Sequence, residues 1–305
     1  MATRDFPIVG DSLVLGYRFQ RHWDNSMAAA FFFGELGAGL FLIGALYGSL
    51  ISMIVGVLVT AVLKTYFHTA HMGVPGRAWR AMIRPDRSWI SRGFISIVVF
   101  TGAAFLNIVL NGFGLAETLG GGAVVNGFAW LMKVLSIMAA LFVMTYHGFA
   151  IADSSSISFW NTGLMPVSSV AYSALGGVVL ALSLDPAATA AGTFLLPSAH
   201  GAALILLVVT TIVLLAMINT ANRGSPGARK SVRLLLGDGP YAKWFFGIVV
   251  AVGLLLPFLL LTLLDPSRPI YLLTAAAVLA GYFSFRALVF KIGLYDPIIS
   301  FAPET

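Results

Sequence analysis

Long apolar segments recur along the whole chain, and they constrain its fold more than any other feature. Each is about 20 residues long, the length that a helix needs to cross the hydrocarbon layer of a bilayer. Hydrophobic residues make up 59% of the 305 residues and charged residues only 10%, a balance that excludes a soluble globular protein. The eight segments are Ser26–Tyr47, Ser49–Phe67, Phe94–Gly112, Phe128–Ala152, Leu164–Leu184, Phe194–Ile218, Trp244–Leu264 and Ile270–Phe290.

The pattern within these segments predicts helices. Only helices and closed barrels satisfy every backbone polar group in lipid, and the strict alternation of barrel strands is absent. We therefore expect an all-α membrane protein with eight transmembrane helices. The longest connections follow the second and sixth helices, which favours two four-helix bundles. The predicted units are an N-terminal interfacial segment at 1–25, a first bundle at 26–152 that includes the loop 71–93, and a second bundle at 153–305 that includes the basic loop 219–243.

Charge distribution suggests an orientation. An even number of spans places both termini on one side, here named side A, together with the connections after the second, fourth and sixth spans. All but two of the 18 Lys and Arg residues are assigned to side A or its boundary, including Lys64, Arg286 and Lys291 at the boundary; the exceptions are Lys133 and Arg268. The positive-inside rule then predicts that side A is cytoplasmic, in a bacterial cytoplasmic membrane. Basic loops can also be docking surfaces, and that alternative stays open.

The chain contains no cysteine. This excludes disulfides, thiolate nucleophiles and cysteine-ligated iron–sulfur clusters within the chain. No metal site is expected here, and any iron–sulfur chemistry must come from a partner.

The connection after the second span is the densest polar stretch. Between residues 71 and 93 it carries five arginines and two tryptophans, with Pro75 and Pro85 to stiffen it. Such a composition is typical of an interfacial belt, with tryptophan at headgroup depth and arginine on phosphates. A docking loop for a partner protein explains the same residues equally well.

The order of residues in this loop resembles a known motif. The string His71-x-Gly73-x-Pro75-x-Arg77-Ala78-Trp79-Arg80, followed by Ser88-Trp89-Ile90-Ser91-Arg92, is similar to the signature after the second helix of the NrfD/PsrC family. That family includes the membrane anchors of polysulfide reductase and DMSO-reductase type. Eight spans and the absence of cysteine agree with it. Gly93 departs from the family pattern, in which an acidic residue follows the Ser-Arg pair.

The resemblance implies a function as well as a fold. It implies a haem-free integral subunit that exchanges electrons and protons with menaquinone or ubiquinone, within the first four helices and close to a docked iron–sulfur subunit. That subunit in turn would serve a molybdopterin catalytic chain acting on sulfite, polysulfide, DMSO, tetrathionate or formate. The residues expected to contact the docked partner are Arg77, Trp79, Arg80, Ser88, Trp89, Ser91 and Arg92.

Ionisable residues inside the spans are candidates for chemistry because they are costly in lipid. Glu35 lies about ten residues into the first span, among glycines that permit close helix approach. It is either a proton relay or quinone-site acid, or a buried carboxyl bonded to its neighbours.

Two further groups of polar residues lie near side A. Lys64, His68 and His71 follow one another at spacings of four and three, on one face of the second helix. Histidine can bond a quinone carbonyl and exchange its proton near neutral pH, whereas lysine in such a place also often reaches to the interface. The other candidates are Tyr146, His147 and Asp153 at the end of the fourth span, and His22 and Asn25 at the start of the first.

We expect these helix ends to converge on a quinone headgroup. The predicted quinone contacts are His22, Asn25, Lys64 and His71, and the predicted proton-exchanging residues are Glu35, His68, His71, Tyr146, His147 and Asp153. Each of these residues is, taken singly, also typical of a cap or an interface anchor. Two other functions stay open: a transporter built of two four-helix halves, and a b-type cytochrome with His68 and His147 as haem ligands.

Overall fold

Among the residues that the computed structural model describes, eight helices are long and apolar enough to span a membrane. The structure describes residues 17–193 and 196–296. Residues 1–16 of the predicted interfacial segment, Phe194 and Leu195 of the predicted sixth span, and the last nine residues of the predicted second bundle lie outside them. The prediction of an all-α, multi-pass membrane protein is therefore confirmed. The spans are Asn25–Tyr47, Leu50–His71, Trp89–Gly112, Ala123–Ala152, Leu164–Leu184, Ala199–Asn222, Ala242–Leu263 and Arg268–Lys291.

Helix ends are set by polar contacts that hydropathy does not report. Asp24 caps the first span, where its carboxylate accepts hydrogen bonds from the backbone N–H groups of Ser26 and Met27. Ser88 caps the third span in the same way, accepting from the N–H of Ser91 at 3.3 Å. The third span consequently begins at Trp89, five residues before its predicted start.

Three spans contain π-helical stretches, at Val59–Lys64, Ile108–Gly112 and Phe245–Leu255. The last stretch ends just before Pro257 in Leu256–Leu263, and proline has no N–H to continue the regular pattern. Such stretches often occur at functional sites, and the first of them positions Lys64. The connections contain the 3₁₀ helix Pro75–Met82 and the short α-helices Leu115–Thr118, Pro186–Ala190 and Pro226–Leu235.

The first span lies at the centre of the packing, in contact with the second, fourth, fifth and eighth spans. Glycines allow the closest of these approaches. A Cβ atom at Gly39 would lie 2.2 Å from the carbonyl oxygen of Ser173 in the fifth span, and one at Gly37 would lie 2.6 Å from that of Gly56 in the second. The arrangement is consistent with two four-helix bundles, although the first span contacts helices of both; that division remains a prediction.

The two ends of the described chain meet at side A. Strand Arg18–Phe19 pairs antiparallel with Leu294–Tyr295, with Arg18 opposite Tyr295. The Gln20 side chain adds hydrogen bonds to the carbonyls of Trp23 and Phe290. These contacts hold the first and eighth spans together at one end of the molecule.

Two residues that the sequence places near the side A boundary are buried inside the protein. Arg286 is fully buried and Lys64 is only 4% exposed. Both side chains face neighbouring helices, because helix register and packing partners decide which residues point inward. Their depth in the membrane remains a prediction.

Candidate functional site

A buried ion pair joins the two halves of the chain. The Oε2 atom of Glu35 accepts hydrogen bonds from Nε of Arg286, at 3.0 Å, and from the hydroxyl of Tyr282. Nη2 of Arg286 lies 2.8 Å from the same oxygen and completes the ion pair. Arg286 also donates from Nη2 to the hydroxyl of Ser169 at 2.7 Å. The first, fifth and eighth spans are thereby fixed to one another.

The other oxygen of Glu35 faces the fourth span. Glu35 Oε1 has no hydrogen-bond partner among the described residues, and it lies 3.7 Å from Nδ1 of His147. The His147 ring packs against Phe31 and Tyr146, with ring centroids 4.4 and 3.9 Å apart. Two predicted site residues, Glu35 and His147, are thus brought together.

Lys64 reaches the same region from the second span. A Cβ atom at Gly34 would lie 2.7 Å from Cε1 of His147 and 3.0 Å from Cγ of Lys64. The absence of a side chain at Gly34 therefore lets both residues lie against the first span. Neighbouring side chains thus lead from the second span to the ion pair, in the order Lys64, His147 and Glu35.

Tyr146 occupies the space above Gly93. A Cβ atom at Gly93 would lie 2.0 Å from the Tyr146 ring, so no larger residue fits while the tyrosine keeps this position. The resemblance led us to expect an acidic residue at position 93. In this chain the Tyr146 ring fills the space that such a side chain would need.

A groove of about 370 Å³ lies between the second and third spans. Its wall is mostly apolar, and Lys64 and His68 are its ionisable side chains. An enclosed cavity of about 20 Å³ adjoins it, sharing Lys64, His68 and Phe94 and reaching Tyr146. The smaller cavity is large enough for about one water molecule. Other residues of the groove include Met72, Ala78, Phe94, Val98 and Gly102.

A sequence profile of the polysulphide reductase NrfD family matches residues 14–295, nearly the whole chain. The chain belongs to the NrfD family. Comparison with curated proteins gave no match. Members of the NrfD family are membrane subunits of molybdoenzyme-type oxidoreductase complexes and in general interact with quinones. Membership therefore makes this chain a membrane subunit of a molybdoenzyme-type complex.

His71 of this NrfD-family chain contacts the start of the first span. Its Nδ1 lies 3.2 Å from the Asp24 carboxylate and 3.1 Å from the Ser26 hydroxyl. Burial raises the pKa of Asp24, but hydrogen bonds from Ser26 and Met27 and the charge of His71 outweigh it and hold that pKa below its ordinary value. His71 lines neither the groove nor the small cavity, so its role at a quinone remains a prediction.

Three other predicted residues lie away from the groove. His22, Asn25 and Asp153 are exposed at side A, and none of them lines either cavity beside Lys64. Asn25 borders a separate surface hollow with Trp23 and Lys291. The expected convergence of three helix ends is therefore seen for the second and fourth spans, with Trp23 as the contribution from the start of the first.

The residues of the loop motif divide into two groups. Arg77, Trp79 and Arg80 lie exposed on the 3₁₀ helix, with Trp79 56% exposed. They are available to a partner, and their docking role remains a prediction.

The second part of the motif makes internal contacts. Ser88 caps the third span and Ser91 is buried. Trp89 stacks on Phe149 at 4.5 Å between centroids. Arg92 donates hydrogen bonds to the carbonyls of Pro85 and Asp86 at 2.7 and 3.0 Å. These four residues stabilise the loop by contacts within it and with the third and fourth spans. Arg77, Trp79 and Arg80 are exposed on the same loop.

Proposed function

We propose that this chain is the quinone-reactive membrane subunit of an iron–sulfur molybdoenzyme complex, and that quinone binds in the groove between the second and third spans. The groove is the main observation that supports this proposal. Its volume lies within the roughly 300–1,000 Å³ of small-molecule sites. It opens on the outer face of the bundle, where its lining residue Val98 is 57% exposed. An apolar quinone tail fits such a wall, and Lys64 and His68 are donors for a headgroup oxygen.

The neighbouring residues are suited to proton exchange. Bound quinone supplies a reaction of two electrons and two protons. His68 borders both cavities, and its Nδ1 has no hydrogen-bond partner among the described residues, so it is free to exchange a proton at the groove. His147 and Glu35 continue from Lys64 into the protein, and Tyr146 lines the small cavity. We assign proton transfer to this series.

The loop places a partner close to the groove. Met72 and Ala78 line the groove, while Arg77, Trp79 and Arg80 beside them are exposed. An iron–sulfur subunit docked on these residues would lie directly above the quinone. A molybdopterin chain bound to that subunit would carry the catalytic site, and a sulfur compound or formate would be its substrate.

The exposed basic residues suggest how the chain is oriented in the membrane. Exposed basic residues of the loop and of helix Pro226–Leu235 lie on side A, and the positive-inside rule places that side in the cytoplasm of a bacterium. We assign the chain to the cytoplasmic membrane with side A inward.

Geometry disfavours the cytochrome alternative, and family membership disfavours the transporter. A porphyrin held by His68 and His147 would need space between them, but the enclosed cavity beside His68 measures about 20 Å³ and His147 is packed against Phe31 and Tyr146. Family membership in turn favours a redox subunit over a transporter.

Purification of the intact complex through this chain in mild detergent tests the proposal directly. We expect iron together with molybdenum or tungsten, a cluster-rich subunit and a large catalytic chain, as determined by metal analysis and mass spectrometry. A lone, metal-free polypeptide, recovered under conditions that preserve other respiratory complexes, would contradict the proposal.

Replacing Arg77 and Arg80 together by alanine tests the docking surface. Loss of interface charges weakens electrostatic complementarity and speeds dissociation, and each 1.4 kcal/mol lost is about tenfold in affinity. We expect about a tenfold or greater loss of partner affinity, measured by co-purification over a salt series. The matched control, Arg229→Ala with Lys230→Ala on the other basic segment, should retain the partner. The opposite result would move the docking surface to helix Pro226–Leu235.

A further inference from the structure

Lys64 is a buried lysine without a counter-ion. Among residues 17–193 and 196–296, no carboxylate oxygen lies within 4.0 Å of its ammonium group. Glu35 is held by Arg286 and Tyr282, and Asp24 by His71 and Ser26. An unpaired buried charge is strongly unfavourable, and more so in a lipid-embedded helix.

The position of Lys64 shows where a negative charge would be accepted. Lys64 lines both the groove and the small cavity, and no acidic residue lines either of them. The other ionisable groups nearby, His68 of the second span and His147 of the fourth, supply no negative charge. Arg286 is neutralised by Glu35. Among the described residues, therefore, no acidic group balances a positive charge on Lys64, and an anion that enters the groove would stabilise the charged form of this lysine.

On the basis of the proposed quinone site, we propose that Lys64 is the counter-ion for an anionic oxygen of the bound ligand. The groove then prefers ring-hydroxylated, ionised quinone-type ligands to neutral ligands of the same shape. The physical reason is that an anionic oxygen adds the attraction between opposite charges to the hydrogen bond that Lys64 donates. The low polarity of the groove wall strengthens it further.

A matched pair of ligands tests this preference. The probe 2-hydroxy-1,4-naphthoquinone is ionised at neutral pH, and 1,4-naphthoquinone is its neutral counterpart. Binding of each to the purified complex at pH 7 is measured by tryptophan fluorescence quenching. We expect the ionised ligand to bind about tenfold or more tightly in the wild-type protein, from the strength of charge-assisted hydrogen bonds.

Variants assign the preference to Lys64. Lys64→Met and the more polar Lys64→Gln should bind both ligands equally, and Lys64→Arg should keep the preference. Lys133→Met, which removes an exposed lysine of the fourth span, is the control and should behave as wild type. Equal binding of the two ligands by the wild type, or an undiminished preference in Lys64→Gln, would overturn the inference and leave the quinone site standing. Failure of both ligands to bind the wild type would overturn the quinone site and the inference together.

Discussion

Arg286→Met is expected to destabilise the protein by about 3–5 kcal/mol, the usual effect of removing one partner from a buried ion pair. Glu35 would be left inside the bundle with the hydroxyl of Tyr282 as its remaining hydrogen bond, because its other oxygen has no partner among the described residues. The loss should appear as a large fall in the apparent melting temperature in detergent, followed by size-exclusion chromatography of heated samples.

A second variant distinguishes the loss of the ion pair from the loss of arginine packing. The double variant Glu35→Gln/Arg286→Met removes both charges, so it should recover much of the stability that Arg286→Met loses. Arg268→Met at the exposed start of the same span is the control and should change the melting temperature little. A double variant as unstable as the single one would show that packing, and not the unpaired carboxylate, accounts for the effect.

The spans were largely predictable because length and apolarity are properties of local sequence. Leu164–Leu184 matches its predicted bounds, and Tyr47, Gly112 and Ala152 end their spans as predicted. The second span differs, since its helix continues past Phe67 to His71. There the extension is stabilised by the contact of His71 with Asp24 and Ser26, a tertiary interaction that hydropathy cannot report.

The ion pair was not predicted, although its parts are visible in the sequence. Glu35 and Arg286 are separated by 251 residues, and a single sequence gives no measure of which helices touch. The available signal is that Tyr282 and Arg286 lie four residues apart, on one face of an otherwise apolar span. An arginine inside a span is itself a marker of an inward-facing site.

The loop motif shows a second limit of prediction from sequence. Its residues resembled a family signature as a group, but the resemblance did not separate partner contacts from internal ones. Trp89 and Arg92 have the same residue types as Trp79 and Arg80, yet the first pair braces the loop and the second pair is exposed. Position after a helix cap, and not residue type, decides which of these residues make internal contacts; the docking role of all seven stays a prediction.

Gly102→Phe is expected to close the proposed quinone site while leaving the fold intact. Gly102 lines the groove, and a Cβ atom there would meet no atom within 4 Å, so the new ring has open space to occupy. Helix stability should not suffer, because glycine is itself unfavourable inside a helix by about 0.5–1 kcal/mol relative to alanine. Quinone would then compete with a ring already in the groove.

Quinone and the new ring together would overpack the groove, at a cost of about 1–3 kcal/mol to binding. Quinone affinity should therefore fall by about tenfold to a hundredfold. The readouts are quinone-analogue binding and quinone-linked turnover in proteoliposomes. Turnover with a soluble electron donor or acceptor that reacts with the partner's clusters should stay normal, because docking is untouched. Gly127→Phe is the matched control: it adds the same ring to an exposed position of the fourth span, also with no atom within 4 Å of its Cβ and outside the groove. Normal quinone binding in Gly102→Phe would place the quinone elsewhere in the bundle, whereas loss of binding in both variants would point to a general effect of added bulk at the lipid-facing surface.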